Sequence, residues 1–162
     1  MPLPRDANAP HGDSPFGDLP EWDLTDLYPA PDAPELKRDM DWVEEACESF
    51  AADYEGKLGT LDAAQLLEAV ERYERIEGIV GRIMSYAGLR YYQQTTDAER
   101  AKFMSDCQDR ITAYTTPLVF WGLEFNRLEG AALEAHMAEN AGLARYRPVI
   151  ERMRAMKPYQ LS

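Results

Sequence analysis

The sequence predicts an all-α fold: an antiparallel helical bundle of about five helices, preceded by an extended, partly disordered N-terminal arm. Three observations predict it. Apolar side chains recur at steps of three and four residues through most of the chain, the period of a helix packed on one face. The first three of these runs open on capping signals, and the breaks between runs are short, as between antiparallel neighbours. No stretch alternates apolar and polar residues as a half-buried strand would, and no internal repeat is present.

The elements follow in order. The first twenty residues hold five prolines and no apolar run, and residues 1–18 are expected to be disordered. The next stretch, LPEWDLTDLYPAPDAPEL, is too broken by proline to be helical. Trp22, Leu24, Leu27 and Tyr28 are expected to pin it, extended, onto the helices. A first helix starts near Asp32, with Asp32 as cap, Glu35 completing a capping box and Pro34 in the first turn. Leu36, Met40, Val43, Cys47, Phe50 and Tyr54 form its packing stripe, and Gly56 and Gly59 mark its end.

Leu61 to Thr95 is the central helix. Asp62 and Gln65 open it with a capping box, and Leu66, Val70, Tyr73, Ile76, Val80, Ile83, Ala87 and Tyr91 share one face. Beside that face runs a stripe of small residues, Gly78, Gly81, Ser85 and Gly88. Each glycine inside a helix costs about 1 kcal/mol relative to alanine, so the stripe predicts another helix backbone lying close against it. Thr96 and Glu99 repeat the start signal, and a third helix begins near Asp97 with Ala101, Met104, Cys107, Ile111, Tyr114 and Leu118 inward. Pro117 is expected to kink or split it. Phe120, Trp121, Leu123 and Phe125 then point in several directions, which implies burial on more than one side. A short helix spans about Gly130 to Glu139. After a break at Asn140 and Gly142 a last one runs from about Leu143 to Met156, carrying Tyr146, Val149, Ile150, Met153 and Met156. Pro158 ends it, and Leu161-Ser162 reads as a hydrophobic residue and N-cap leading into a further helix.

The chain has 162 residues, 45% hydrophobic and 28% charged, enough for one domain with a core. Its net charge of -12 makes nucleic acid and anionic membranes poor partners. No signal peptide and no run of about 18 apolar residues is seen, so a cytoplasmic location is the default expectation. Cys47 and Cys107 both fall on or next to apolar helix faces and read as reduced core thiols, although a bridge between them is not ruled out by spacing.

Chemistry is harder to find. A zinc hydrolase helix needs two histidines four residues apart with a glutamate between them. This chain has His11, in the proline-rich start, and His136, on a short helix. Glu134 precedes His136 at the wrong spacing for a di-iron bundle. No serine elbow or phosphate loop is present, since Gly78 and Gly81 lie inside a helix. Glu44, Glu45, Glu48, Glu68, Glu71, Glu74 and Glu77 favour exposed faces, with Glu68–Arg72 and Glu71–Arg75 as expected i,i+4 pairs. Tyr86, Arg90, Tyr91, Tyr92, Gln93 and Gln94 gather aromatic and hydrogen-bonding groups that suit a peptide groove. They suit aromatic packing at a bundle end as well, which is the preferred reading.

Three stretches carry a resemblance: LPEWDLTDLYPAPDAPEL, SYAGLRYYQQTTDAERAKF and RYRPVIERMRAMKPYQLS. From about Leu19 to Ser162 the chain resembles the N-terminal region of oligoendopeptidase F, of the thimet-oligopeptidase-like zinc metallopeptidase family. The resemblance implies a largely helical enzyme with a deep channel between two lobes. It also implies a zinc held by an H-E-x-x-H helix and a later glutamate, acting on short oligopeptides. This chain would be part of the N-terminal lobe that narrows the channel: a tail at 1–18, then an incomplete helical lobe at 19–162 whose partner is the missing C-terminal catalytic lobe. The H-E-x-x-H motif is absent. No catalytic, cofactor-binding or metal-binding residue is therefore carried over, and the chain is expected to bind no zinc and to be inactive alone. As a fragment it is expected to expose apolar surface. The alternative is a stand-alone helical module that binds peptides or a protein partner without catalysis, through Tyr91 and Tyr92.

Overall fold

The computed structural model describes residues 22–155 and 157–159. The expectations for the tail at 1–18, for His11, for Met156 and for Leu161-Ser162 lie outside the described residues. Helix α1 spans Pro34–Tyr54. Its cap is Ala33, in extended backbone and with no side-chain hydrogen bond, rather than the predicted Asp32. The reason is Pro34, whose ring forces the residue before it out of helical backbone. The boundary therefore falls one residue late, and Asp32 cannot reach the first free amides. At the other end Gly56 takes φ 75°, the left-handed conformation that reverses the chain cheaply only at glycine.

Helix α2 spans Ala63–Gln93, about 46 Å at 1.5 Å per residue. Its capping box is present: Gln65 N–H donates to Asp62 Oδ1 at 2.8 Å, and Asp62 N–H donates to Gln65 Oε1 at 3.0 Å. Helix α3 spans Ala98–Thr115. Asp97, not Thr96, is its cap, accepting from the amides of Glu99 and Arg100. Pro117 splits the run as predicted: one 3-10 turn, Thr116–Leu118, separates α3 from α4, Val119–Arg127. Helix α5 is Gly130–Glu139. The single last helix that the sequence predicts is broken. Asn140 caps a one-turn α6, Ala141–Ala144, and α7, Arg147–Arg154, restarts after it. Pro148 falls in the first turn of α7, where its missing N–H would have had no helical partner.

Helices α1, α2 and α3 form the antiparallel bundle. Asp39 near the start of α1 faces Arg82 late in α2, while Asp53 at the end of α1 faces Arg72 early in α2. Likewise Tyr86 meets Phe103 and Tyr73 meets Trp121, so α2 runs opposite to α3 and α4. All six stripe residues of α1 are buried. On α2, Leu66, Val70, Ile76, Ile83 and Ala87 are buried, with Tyr73, Val80 and Tyr91 half-buried. Cys107 and Ile111 carry the inner face of α3. Phe120, Trp121 and Phe125 bring α4 into the same core, whereas Leu123 and Val119 are exposed, so α4 is covered on fewer sides than predicted. Helices α5 and α6 pack on the first turns of α2, where Asn140 Nδ2 reaches Ala63 O at 3.4 Å. Helix α7 is tied to α4 by Arg154, which donates to Phe125 O, while Val149 stays in solvent rather than in the stripe.

The small-residue stripe of α2 is the largest departure. Gly78, Gly81 and Ser85 are exposed, and a Cβ at Gly78 or Gly81 would meet nothing within 4 Å; Gly88 alone is buried, and a Cβ there would meet only the Tyr92 side chain, at 3.7 Å. No backbone among the described residues lies against Gly78 or Gly81. Helical period alone placed the stripe beside the apolar face, but α1 and α3 close over the apolar face and leave Gly78, Gly81 and Ser85 open.

The arm is pinned at one residue more than by four. Tyr28 is buried, edge-on to Tyr86 at 5.4 Å, and its hydroxyl donates to Asp39 Oδ2 at 2.7 Å. Arg82 covers that ring at 4.5 Å and donates to Leu27 O. Leu24 and Leu27 are half-buried. Trp22 is 61% exposed and is not an anchor, although its carbonyl accepts from Gln93 Nε2. A turn from Leu24 to Tyr28 replaces the expected extended run: both the Leu27 and Tyr28 amides bond to Leu24 O.

Candidate functional site

The aromatic cluster at the end of α2 does not assemble into one surface. Tyr86 is buried between Tyr28 and Phe103. Tyr92, six residues on and so about 240° round the helix, is 65% exposed. Gln93 works as a tie instead: it donates to Trp22 O at 2.9 Å and accepts from Arg100 at 3.1 Å, while Arg100 also donates to Arg90 O. Tyr91 and Tyr92 remain side by side, their rings 5.4 Å apart.

The cysteines and His136 do not converge. Cys47 on α1 and Cys107 on α3 are free and buried, and burial pushes both thiols up to about 11. A raised pKa lowers the thiolate fraction on which nucleophilic attack depends, so neither thiol is an activated nucleophile. Among the described residues no three His, Cys, Asp or Glu side chains group as metal ligands, so the donor set present does not fit a zinc ion. Native thiols are expected to resist iodoacetamide at pH 8 and to react once the chain is unfolded, as intact mass would record. Because folding raises the thiol pKa, the stability this contributes is full below pH 9 and is lost as pH rises through about 11.

The glutamates named from the sequence are all exposed. Their expected i,i+4 partners have turned elsewhere. Arg72 pairs with Asp53 of α1 at 2.8 Å rather than with Glu68, and the Arg75 guanidinium lies over Trp42 at 4.9 Å rather than beside Glu71. Each arginine gains contact across the α1–α2 seam, which a solvated intrahelical pair cannot match.

A feature that sequence reasoning missed is a cleft of about 440 Å³ between the α1–α2 turn, the end of α4 and the face of α5. Leu58, Leu66 and Leu133 form its floor. Arg127, Glu129 and His136 stand at its rim, and Glu124 accepts the Gly56 amide at 2.7 Å. The visible signal was the Gly56-x-x-Gly59 turn; its partners lie too far along the chain for periodicity to find. The lining holds no hydroxyl, thiol or lysine, so it offers a binding surface and no nucleophile–base pair.

One wall of this cleft, from Glu124 onward, belongs to a stretch with a known relation. Residues 124–162 match the family model described as Oligopeptidase F. The match covers about a quarter of the chain and shows a likeness over that stretch. It begins within α4 and takes in α5, α6 and α7. No curated protein and no solved structure matches the chain. The matched stretch thus supplies the C-terminal side of the fold, with α5 and α6 packed on α2 and α7 on α4. No helix among the described residues is long and apolar enough to cross a membrane.

Proposed function

We propose that this chain is part of the N-terminal helical lobe of a zinc metalloendopeptidase acting on short oligopeptides in the cytoplasm. The observation that carries the reading is the match of residues 124–162 to Oligopeptidase F. The all-helical fold agrees with it. In this reading the lobe limits access to a channel, and a C-terminal catalytic lobe holds the metal and does the chemistry. Zinc there would polarise the scissile carbonyl and activate water. The apolar side chains left in solvent on α4 and α7, Val119, Leu123 and Val149, are then surface that the catalytic lobe covers.

The test has two steps. The coding DNA is read past the codon for Ser162, where an open frame leading to H-E-x-x-H is expected. The longer product is then assayed on internally quenched oligopeptides with and without a zinc chelator, beside residues 1–162 alone. Chelator-sensitive hydrolysis by the longer product only supports the reading. A stop codon directly after Ser162, or a longer product without hydrolysis, overturns it. The 440 Å³ cleft favours one second reading, a peptide-binding module without catalysis, which a stop codon at that place would bring forward.

A further inference from the structure

The chain is strongly acidic, yet one seam of its surface is not. Along the outer edge of α1 and α2 lie two adjoining concavities of about 290 and 380 Å³ that share Trp42 and Glu45 as their common wall. Four cations line them, Lys37, Arg38, Arg72 and Arg75, against two carboxylates, Asp41 and Glu45. Asp53, which pairs with Arg72, leaves the cations still in excess.

The cations differ in what they have left to give. Lys37 is paired with Asp41 at 2.5 Å. Arg72 is held by Asp53, Tyr54 and Ser49, so it is a fixed wall. Arg38 and Arg75 make no ion pair with any described residue. Arg75 rests on the face of the half-buried Trp42 indole and is itself exposed. A guanidinium stacked on an aromatic ring keeps its in-plane N–H groups available for a carboxylate, and stacking fixes their direction beforehand.

We infer that the Trp42–Arg75 seam between α1 and α2 is a docking groove for an acidic peptide segment, with carboxylates on Arg38 and Arg75 and an apolar side chain against Trp42. Charge complementarity selects this occupant. An acidic segment is repelled by the exposed glutamates elsewhere on α1 and α2, and along these two helices it meets four cations against two lining carboxylates at this seam. The inference is independent of the peptidase reading.

The test is fluorescence polarisation of a labelled decapeptide of alternating Glu and Leu against the full 162-residue chain, beside the same peptide with Lys for Glu. Binding is expected for the acidic peptide only, weakening when NaCl rises from 50 to 300 mM. The double substitution Arg38→Glu and Arg75→Glu should lower affinity at least tenfold with unchanged helical circular dichroism, since both side chains are exposed. Arg75→Lys, which keeps charge but loses the fork and the stack, should fall between parent and double variant. Absence of binding at millimolar protein, equal binding of the lysine peptide, or full affinity in the double variant would each overturn the inference.

Discussion

Replacing Phe50 by alanine is expected to remove about 3–5 kcal/mol of folding stability, the range for a fully buried phenylalanine. The side chain has 0% exposure. Its ring lies 4.8 Å from Tyr54, 5.9 Å from Tyr73, 6.0 Å from Phe120 and 5.3 Å from Trp121. Those neighbours come from α1, α2 and α4, three separate elements, so the hole left by truncation cannot close by one side chain swinging inward. Rigid aromatic walls put the cost toward the upper part of the range. Domains hold only about 5–15 kcal/mol in total, so the variant should unfold at a far lower urea concentration than the parent. Equilibrium urea unfolding followed by circular dichroism measures this; a loss under about 1 kcal/mol would mean that the four rings do not form the packed cluster described.

The double substitution Gly78→Ala and Gly81→Ala is expected to act in the opposite direction. Each site is exposed on α2, and an added Cβ meets nothing within 4 Å. Alanine is favoured over glycine inside a helix by about 0.8–1 kcal/mol, so the pair should add about 2 kcal/mol. For a chain of this size that raises Tm by about 4–8 °C. Differential scanning calorimetry reads it directly. A fall in Tm, or a change in molecular mass on a sizing column, would show that a second backbone does lie along the stripe in solution.

That pair of sites also marks where reading the sequence reached its limit. Position along a helix is local information, and the local signals were legible: the Asp62–Gln65 box, the stripe from Leu36 to Tyr54, the break at Pro117 and the span Gly130–Glu139 all appear where periodicity and capping put them. What covers a face is not local. Gly78 and Gly81 look like a close helix crossing from spacing alone, and only the placement of α1 and α3 reveals the face as open. Arg72 and Arg75 fail for the same reason: intrahelical partners are visible in the sequence, and Asp53 and Trp42 across the seam are not. The 440 Å³ cleft draws on positions from Gly56 to His136, so no window of the sequence contains it. The resemblance to oligoendopeptidase F was legible because it rests on long matched stretches, and the family match falls on the last of them.

The order of the helices has a kinetic consequence. Helix α2 follows α1 after residues 55–62, and α3 follows α2 after residues 94–97, so each bundle seam closes a short loop. Loop-closure entropy grows only with the logarithm of length, and chains dominated by such neighbours fold quickly. The α1–α2 hairpin can therefore form as soon as Gln93 is clear of the ribosome. Phe50 and Tyr73 then wait for Phe120 and Trp121, which arrive roughly thirty residues later, a few seconds at about 5–20 residues per second. For that interval the hairpin leaves the faces of Phe50 and Tyr73 that later meet Phe120 and Trp121 open to water.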